Sequence, residues 1–254
     1  MKKWLLLLVT VCAAFSLAAC GTSSSSDKKT LVMGTSADYP PFESKDGDNI
    51  VGFDVDLAKA LAKKTGHELE VQDMDFNGLV TALKTNKVDI VLSGMTPTPQ
   101  RKKQVDFSNV YYTAHNMIVT KKSSGIKSLD DLNGKTVGVQ LGSIQEEKAK
   151  ELTSKYDLKV ENRNRISDLT EEIKAGRFEA AIIEDIVAEK YLNKNKELTA
   201  FNLPKDPDDQ AGSAIAFKKG SDLTEKFNKA LKEMEKSGEL DKLKEKWFSG
   251  ETQK

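Results

Sequence analysis

From residue 30 onward the chain alternates between two hydrophobic periods. Short β-like runs at 31–35, 68–72 and 88–92 are separated by helical patterns at 54–64 and 76–84. The apolar run 88–92 predicts a buried strand, and Pro97-Thr98-Pro99 interrupts the chain before a short helical stretch at 100–105. A second series follows the apolar segment 117–119. It places strands at 136–140, 158–161 and 180–183 between helices at 144–152, 167–174 and 186–192. Asn133-Gly134-Lys135 and Ala175-Gly176-Arg177 punctuate this series as turns. A third apolar stretch at 214–217 precedes two C-terminal helices, the first opened by Asp222 and Glu225 in capping-box spacing. Such alternation predicts an α/β fold with mainly parallel strands. Two lobes fit the pattern, joined by extended segments around 114–119 and 210–216, although pattern alone also permits two independent domains in tandem.

The start of the chain reads differently. Lys2 and Lys3 precede an apolar run at 4–18, too short for a membrane span and suited to a secretory leader. It ends in Leu17-Ala18-Ala19-Cys20, which resembles a lipobox. The resemblance implies that residues 1–19 are removed and that Cys20 carries diacylglycerol, anchoring the protein to the lipid bilayer on the outer face of the cell membrane. Residues 20–29 then form a lipidated, Ser-rich flexible tether. Cys12 leaves with the leader and Cys20 is acylated, so no thiol remains for a disulfide, a metal or a nucleophile. With two histidines, no Gly-x-Ser-x-Gly elbow and no metal-ligand spacing, neither a cofactor nor enzymatic turnover is expected. The 39 basic residues balance 39 acidic ones, and loss of the leader tips the balance slightly acidic, which argues against nucleic-acid binding.

The candidate chemistry centres on Ser93-Gly94-Met95-Thr96 followed by Arg101. A guanidinium holds a carboxylate through two parallel charge-assisted bonds, and hydroxyls and bare Gly N–H groups can fill its remaining lone pairs. That combination suits the carboxylate of a free amino acid.

Around this stretch lie Gly34-Thr35-Ser36-Ala37-Asp38-Tyr39-Pro40-Pro41-Phe42 and Val51-Gly52-Phe53-Asp54-Val55-Asp56-Leu57, then Val105-Asp106-Phe107-Ser108, Tyr111-Tyr112 and, near the end, Lys246-Trp247-Phe248. In this order they resemble the extracytoplasmic solute-binding proteins of amino-acid ABC importers, family 3 type. At closer range the chain resembles the arginine or basic-amino-acid binding lipoproteins of Gram-positive bacteria. The resemblance implies a two-lobed α/β fold of the periplasmic-binding-protein kind (type II), with the ligand cleft between the lobes. Lobe 1 would comprise residues 30–113 and 213–254, and lobe 2 residues 114–212. It further implies a monomer that captures an amino acid and delivers it to a membrane permease.

The family pattern carries over residue by residue. Tyr39 and Phe76 match the aromatic pair around the ligand side chain; Ser93, Gly94, Thr96 and Arg101 match the α-carboxylate group. Gln140, Ser143 and Ile144 lie in the strand-to-helix loop that completes the carboxylate shell, and Asp185 matches the aspartate that receives the α-ammonium. The chain departs from the family's glutamine binders, which often carry Lys at Gln140 and His at Glu184. Both changes make the cleft more negative, and Asp38 is a further candidate carboxylate for a cationic side chain. A basic L-amino acid is therefore expected, arginine ahead of lysine, histidine or ornithine. Glutamine or another polar amino acid is the alternative, and a dehydratase-like enzyme or a sensor input domain on the same scaffold are less favoured ones.

Overall fold

The computed structural model describes residues 29–204 and 212–249. The expected leader at 1–19 and the acylated Cys20 lie outside the described residues. The first lobe opens with β1 (Thr30–Thr35), then a small antiparallel meander of β2 (Asp38–Tyr39), β3 (Glu43–Asp46) and β4 (Asn49–Val51). Helix α1 (Phe53–Lys64) follows because Val55, Leu57, Ala58, Leu61 and Ala62 fall on one face, which it buries. The chain continues through β5 (Glu68–Asp73), α2 (Leu79–Lys84), β6 (Ile90–Val91), α3 (Pro99–Lys102) and β7 (Val105–Phe107).

The second lobe repeats the plan with β8 (Asn116–Lys121), β9 (Lys135–Gln140), α4 (Ile144–Leu152), β10 (Leu158–Arg163), α5 (Ile166–Ala175), β11 (Ala180–Glu184), α6 (Asp185–Lys194) and β12 (Leu198–Asn202). The chain then returns to lobe 1 with β13 (Ala216–Lys218), α7 (Leu223–Ser237) and α8 (Glu239–Phe248). The two main sheets have the same design. The first is ordered β5-β1-β6-β13-β7 and the second β10-β9-β11-β8-β12. In each, three parallel strands are joined by a strand, β13 or β8, that runs antiparallel to both neighbours.

Two extended segments connect the lobes side by side. The Tyr111 N–H donates to the Ser213 carbonyl at 2.9 Å and the Ser213 N–H to the Tyr112 carbonyl at 2.8 Å. The C-terminal helices close on lobe 1: Trp247 Nε1 donates to Asp56 at 2.9 Å, and the Phe248 ring packs against Phe42, Phe53 and Tyr112. The chain is thus a double crossover and not two domains in tandem.

Several expectations change. The helix expected at 100–105 spans only Pro99–Lys102, because Val105 pairs with Lys218 as the start of edge strand β7. The helix expected at 76–84 begins with a 3-10 turn, Phe76–Gly78, and the strand at 88–92 contracts to β6. Asp222 does not cap α7 with its side chain; the Ser221 hydroxyl instead accepts the Leu223 N–H at 3.3 Å. The meander and β12 carry no strong alternation and exist through their pairing partners.

Candidate ligand-binding site

The carboxyl ends of β1, β6, β9 and β11 face one another across the lobes, where open α/β sheets gather their ligands. A cavity of about 250 Å³ lies there, lined by Tyr39, Phe76, Ser93, Gly94, Thr96 and Arg101 from lobe 1 and by Gln140, Ser143, Ile144, Gln145 and Glu184 from lobe 2. Ten of the residues singled out in the sequence therefore meet in one place, and Gln145 joins them.

Arg101 is the polar centre. Thr98 caps the short α3 by accepting the Arg101 N–H, and the side chain turns back over the Phe76 ring at 5.3 Å. Nη1 donates to the Thr96 carbonyl at 2.7 Å, and Nη2 crosses to the Gly142 carbonyl of lobe 2 at 2.8 Å. Burial pulls its pKa down to about 10, with Glu147 opposing, so the guanidinium stays charged at neutral pH. Opposite it, Ser143 caps α4 by accepting the Glu146 N–H. The first-turn N–H groups of Ile144 and Gln145, which an α-helix cannot satisfy internally, belong to residues lining the cavity.

Ser93 and Gly94 serve the cleft through its floor. The Ser93 hydroxyl donates to Glu43 at 2.7 Å and accepts the Ser36 N–H, while the Gly94 N–H donates to Asp54 at 3.0 Å. These donors are spent on lobe 1 itself, so they shape the loop that carries Thr96 toward Arg101. Gly94 has φ +56, and an added Cβ would sit 2.8 Å from the Tyr39 ring, which only glycine avoids.

The cavity is acidic beneath its surface. Glu184 is 2 % exposed, and its Oε2 has no hydrogen-bond partner among the described residues. Burial pushes its pKa up to about 8; the Tyr39 hydroxyl, which donates to it, opposes, and the Asp185 and Asp54 charges add. Asp54 and Glu43, both fully buried, are raised by burial as well, Glu43 further by the Asp54 charge. Asp54 accepts the Gly94 N–H at 3.0 Å and the Tyr111 hydroxyl at 2.8 Å. Such a cluster favours a ligand group that brings positive charge or several donors.

Asp185 does not line the cavity. It begins α6, half-buried, with Oδ1 accepting its own Ile186 N–H at 2.7 Å. Asp38 lies elsewhere too. Asp38 and Tyr39 are successive residues of β2, so their side chains leave on opposite faces, and Tyr39 takes the cleft. Gln140 lines the cavity but has its Nε2 bound to the Asn164 carbonyl at 3.1 Å. The sequence reading missed Glu43, Asp54 and Gln145 as parts of the site. Asp54 and Glu43 stand inside or beside the quoted motifs, yet only the folded chain sets them behind Ser93 and Gly94.

Residues 31–250 match the bacterial extracellular solute-binding proteins, family 3. The chain belongs to this family. Among family relatives, it is 71% identical over 254 residues to the arginine-binding extracellular protein ArtP of Bacillus subtilis, covering 99% of this chain and 100% of that protein. A crystal structure of the substrate-binding protein of an amino acid ABC transporter is 44% identical, with a TM-score of 0.83 over 87% of this chain and 99% of that one. An ancestral arginine-binding protein bound to arginine is 45% identical, with a TM-score of 0.81 over 87% and 99%. The two-lobed fold is thus that of the family 3 solute-binding proteins. No helix among the described residues is long and apolar enough to cross a membrane.

Proposed function

We propose that this protein is the substrate-binding component of an amino-acid ABC importer, capturing a basic L-amino acid, arginine foremost, and delivering it to a membrane permease. The observation that carries the ligand class is Glu184: a carboxyl group 2 % exposed, with an unpartnered oxygen, in the wall of the cavity between the lobes. A cationic side chain supplies what that oxygen lacks. Arg101, Thr96 and the start of α4 would take the α-carboxylate, Asp185, which lies outside the cavity lining, would turn in to receive the α-ammonium, and Tyr39 and Phe76 would flank the side chain. Similarity to arginine-binding relatives supports the same reading. The cleft's inventory suits capture and release more than turnover, and its relatives are binding proteins. Acylation at Cys20 would hold a monomer at the outer face of the membrane, within reach of the permease.

The test is calorimetric titration of the chain from Thr30 onward, stripped of endogenous ligand, with arginine, lysine, histidine, ornithine and glutamine. Tight binding restricted to cationic ligands is the expected result. Tight glutamine binding would retain the importer receptor and discard the role given to Glu184, and silence from all five would overturn the receptor reading.

A further inference from the structure

A second set of charges grips the two lobes together away from the cleft. Arg165, in the turn between β10 and α5 of lobe 2, reaches lobe 1 with Nε and Nη1 of its guanidinium. Nη1 donates to Asp73 Oδ1 at 2.7 Å, Nε donates to Asp75 Oδ1 at 3.1 Å, and Nη1 lies 3.7 Å from Asp38 Oδ1. Beside it, Asn164 Nδ2 donates to Asp75 Oδ2 at 2.9 Å. The Asp38 carboxylate accepts the Ile166 N–H and, at 3.4 Å, the Ser167 N–H at the start of α5, while the Tyr191 hydroxyl of α6 donates to the Asp38 carbonyl at 2.7 Å. None of these residues lines the 250 Å³ cavity. Asp38, Arg165, Ser167 and Tyr191 border a separate space of about 900 Å³ at the seam between the lobes.

We propose that Arg165 is a positioning residue that determines affinity without touching the ligand, by clasping lobe 2 to the Asp38, Asp73 and Asp75 edge of lobe 1 and adding a share to closure that no ligand supplies. This rests on the reading of the protein as a closing amino-acid receptor. The contacts are not equal. Burial raises the Asp38 carboxyl despite its partners, so Asp38 mainly seats the start of α5. Against the cost of partial burial, Asp73 is held below its ordinary value and Arg165 above its own, each chiefly by the bond to the other, so their pair carries the gain. Removing Arg165 would also take the counter-charge from Asp38 and Asp75 and leave Asp73 to Lys45 alone, 2.9 Å away. Because every ligand is enclosed by the same closure, a loss of closing tendency weakens all of them by one common factor.

The experiment uses the full chain in mild detergent, unaltered and as Arg165→Gln and Arg165→Lys, with arginine, lysine and glutamine as probes and X-ray scattering of each ligand-free form. Arg165→Gln is expected to weaken every ligand that binds the unaltered protein by the same factor, on the order of tenfold. The change should fall on the dissociation rate, and the ligand-free form should be more expanded. Arg165→Lys, which keeps the charge and loses the fork, is expected to recover part of both effects. Unequal factors among the ligands would overturn the proposal, since they would place Arg165's influence inside the pocket. Unchanged affinity and unchanged scattering would overturn it as well. If Arg165→Gln fails to fold by circular dichroism, Asp73→Asn and Arg165→Lys carry the same comparison. If the unaltered protein binds none of the probes, the functional reading falls, and the scattering of the ligand-free variants still decides the clasp.

Discussion

Raising the pH of the ligand-free protein from about 5 to about 9 is expected to weaken its fold, and Glu184→Gln is expected to remove the Glu184 share of that slope. Glu184 is raised from an ordinary 4.5 to about 8 by burial, against the Tyr39 hydroxyl and with help from the Asp185 and Asp54 charges. An acid with a raised pKa holds its proton more tightly in the folded than in the unfolded chain. The unfolded state therefore binds fewer protons, and stability falls as pH rises from about 4.5 through about 8. At about 1.4 kcal/mol per pKa unit, Glu184 alone accounts for on the order of 4 to 5 kcal/mol across that window. Asp54 and Glu43 are shifted in the same direction, and Asp54 is left to maintain part of the slope in the variant. Urea unfolding followed by Trp247 fluorescence reads the effect, since that indole is half-buried and donates to Asp56. Binding supplies the mirror image: if Glu184 ionises to receive a cation, arginine affinity should fall about tenfold for each pH unit below about 8. A glutamine titration should lack that dependence. A urea midpoint that is flat or rising between pH 5 and 8, or a Glu184→Gln variant with the slope of the unaltered protein, would refute the reasoning.

Arg101→Ala removes the guanidinium that spans Thr96 and Gly142, and should cost about 2 to 5 kcal/mol of ligand binding by calorimetry; undiminished affinity would remove Arg101 from the carboxylate site. Gly94→Ala forces a side chain onto φ +56 and against the Tyr39 ring, so a strain of about 1 to 2 kcal/mol plus displacement of Tyr39 should lower both melting temperature and affinity. A variant that melts and binds like the unaltered protein would show that the loop relaxes freely. Phe42→Ala empties the centre of an aromatic cluster formed with Tyr39, Phe53, Tyr112 and Phe248, and should cost about 3 to 5 kcal/mol in urea unfolding. A loss under about 1 kcal/mol would mean that the C-terminal helix does not depend on that packing.

The amino-acid sequence by itself determined the local elements whose signal is periodic and strong. The face of α1 made by Val55, Leu57, Leu61 and Ala62, and the helix at 144–152 capped by Ser143, are legible because each position's fate depends on residues three or four away. Family motifs likewise pointed to Tyr39 and Arg101, and a departure from the family's glutamine binders pointed to Glu184, and the structure brings the three around one cavity. Tertiary structure decided what depends on partners far along the chain. Val105 is a strand residue because Lys218 pairs with it, and Ser93 and Gly94 have their donors spent because Glu43 and Asp54 lie behind them. Asp38 and Tyr39 are neighbours in sequence, yet the pleat of β2 sends one to the lobe seam and the other to the cleft. Periodicity reports which face of an element is apolar; which carboxylate meets which guanidinium is set by the packing of two lobes that exist only once the chain has crossed between them twice.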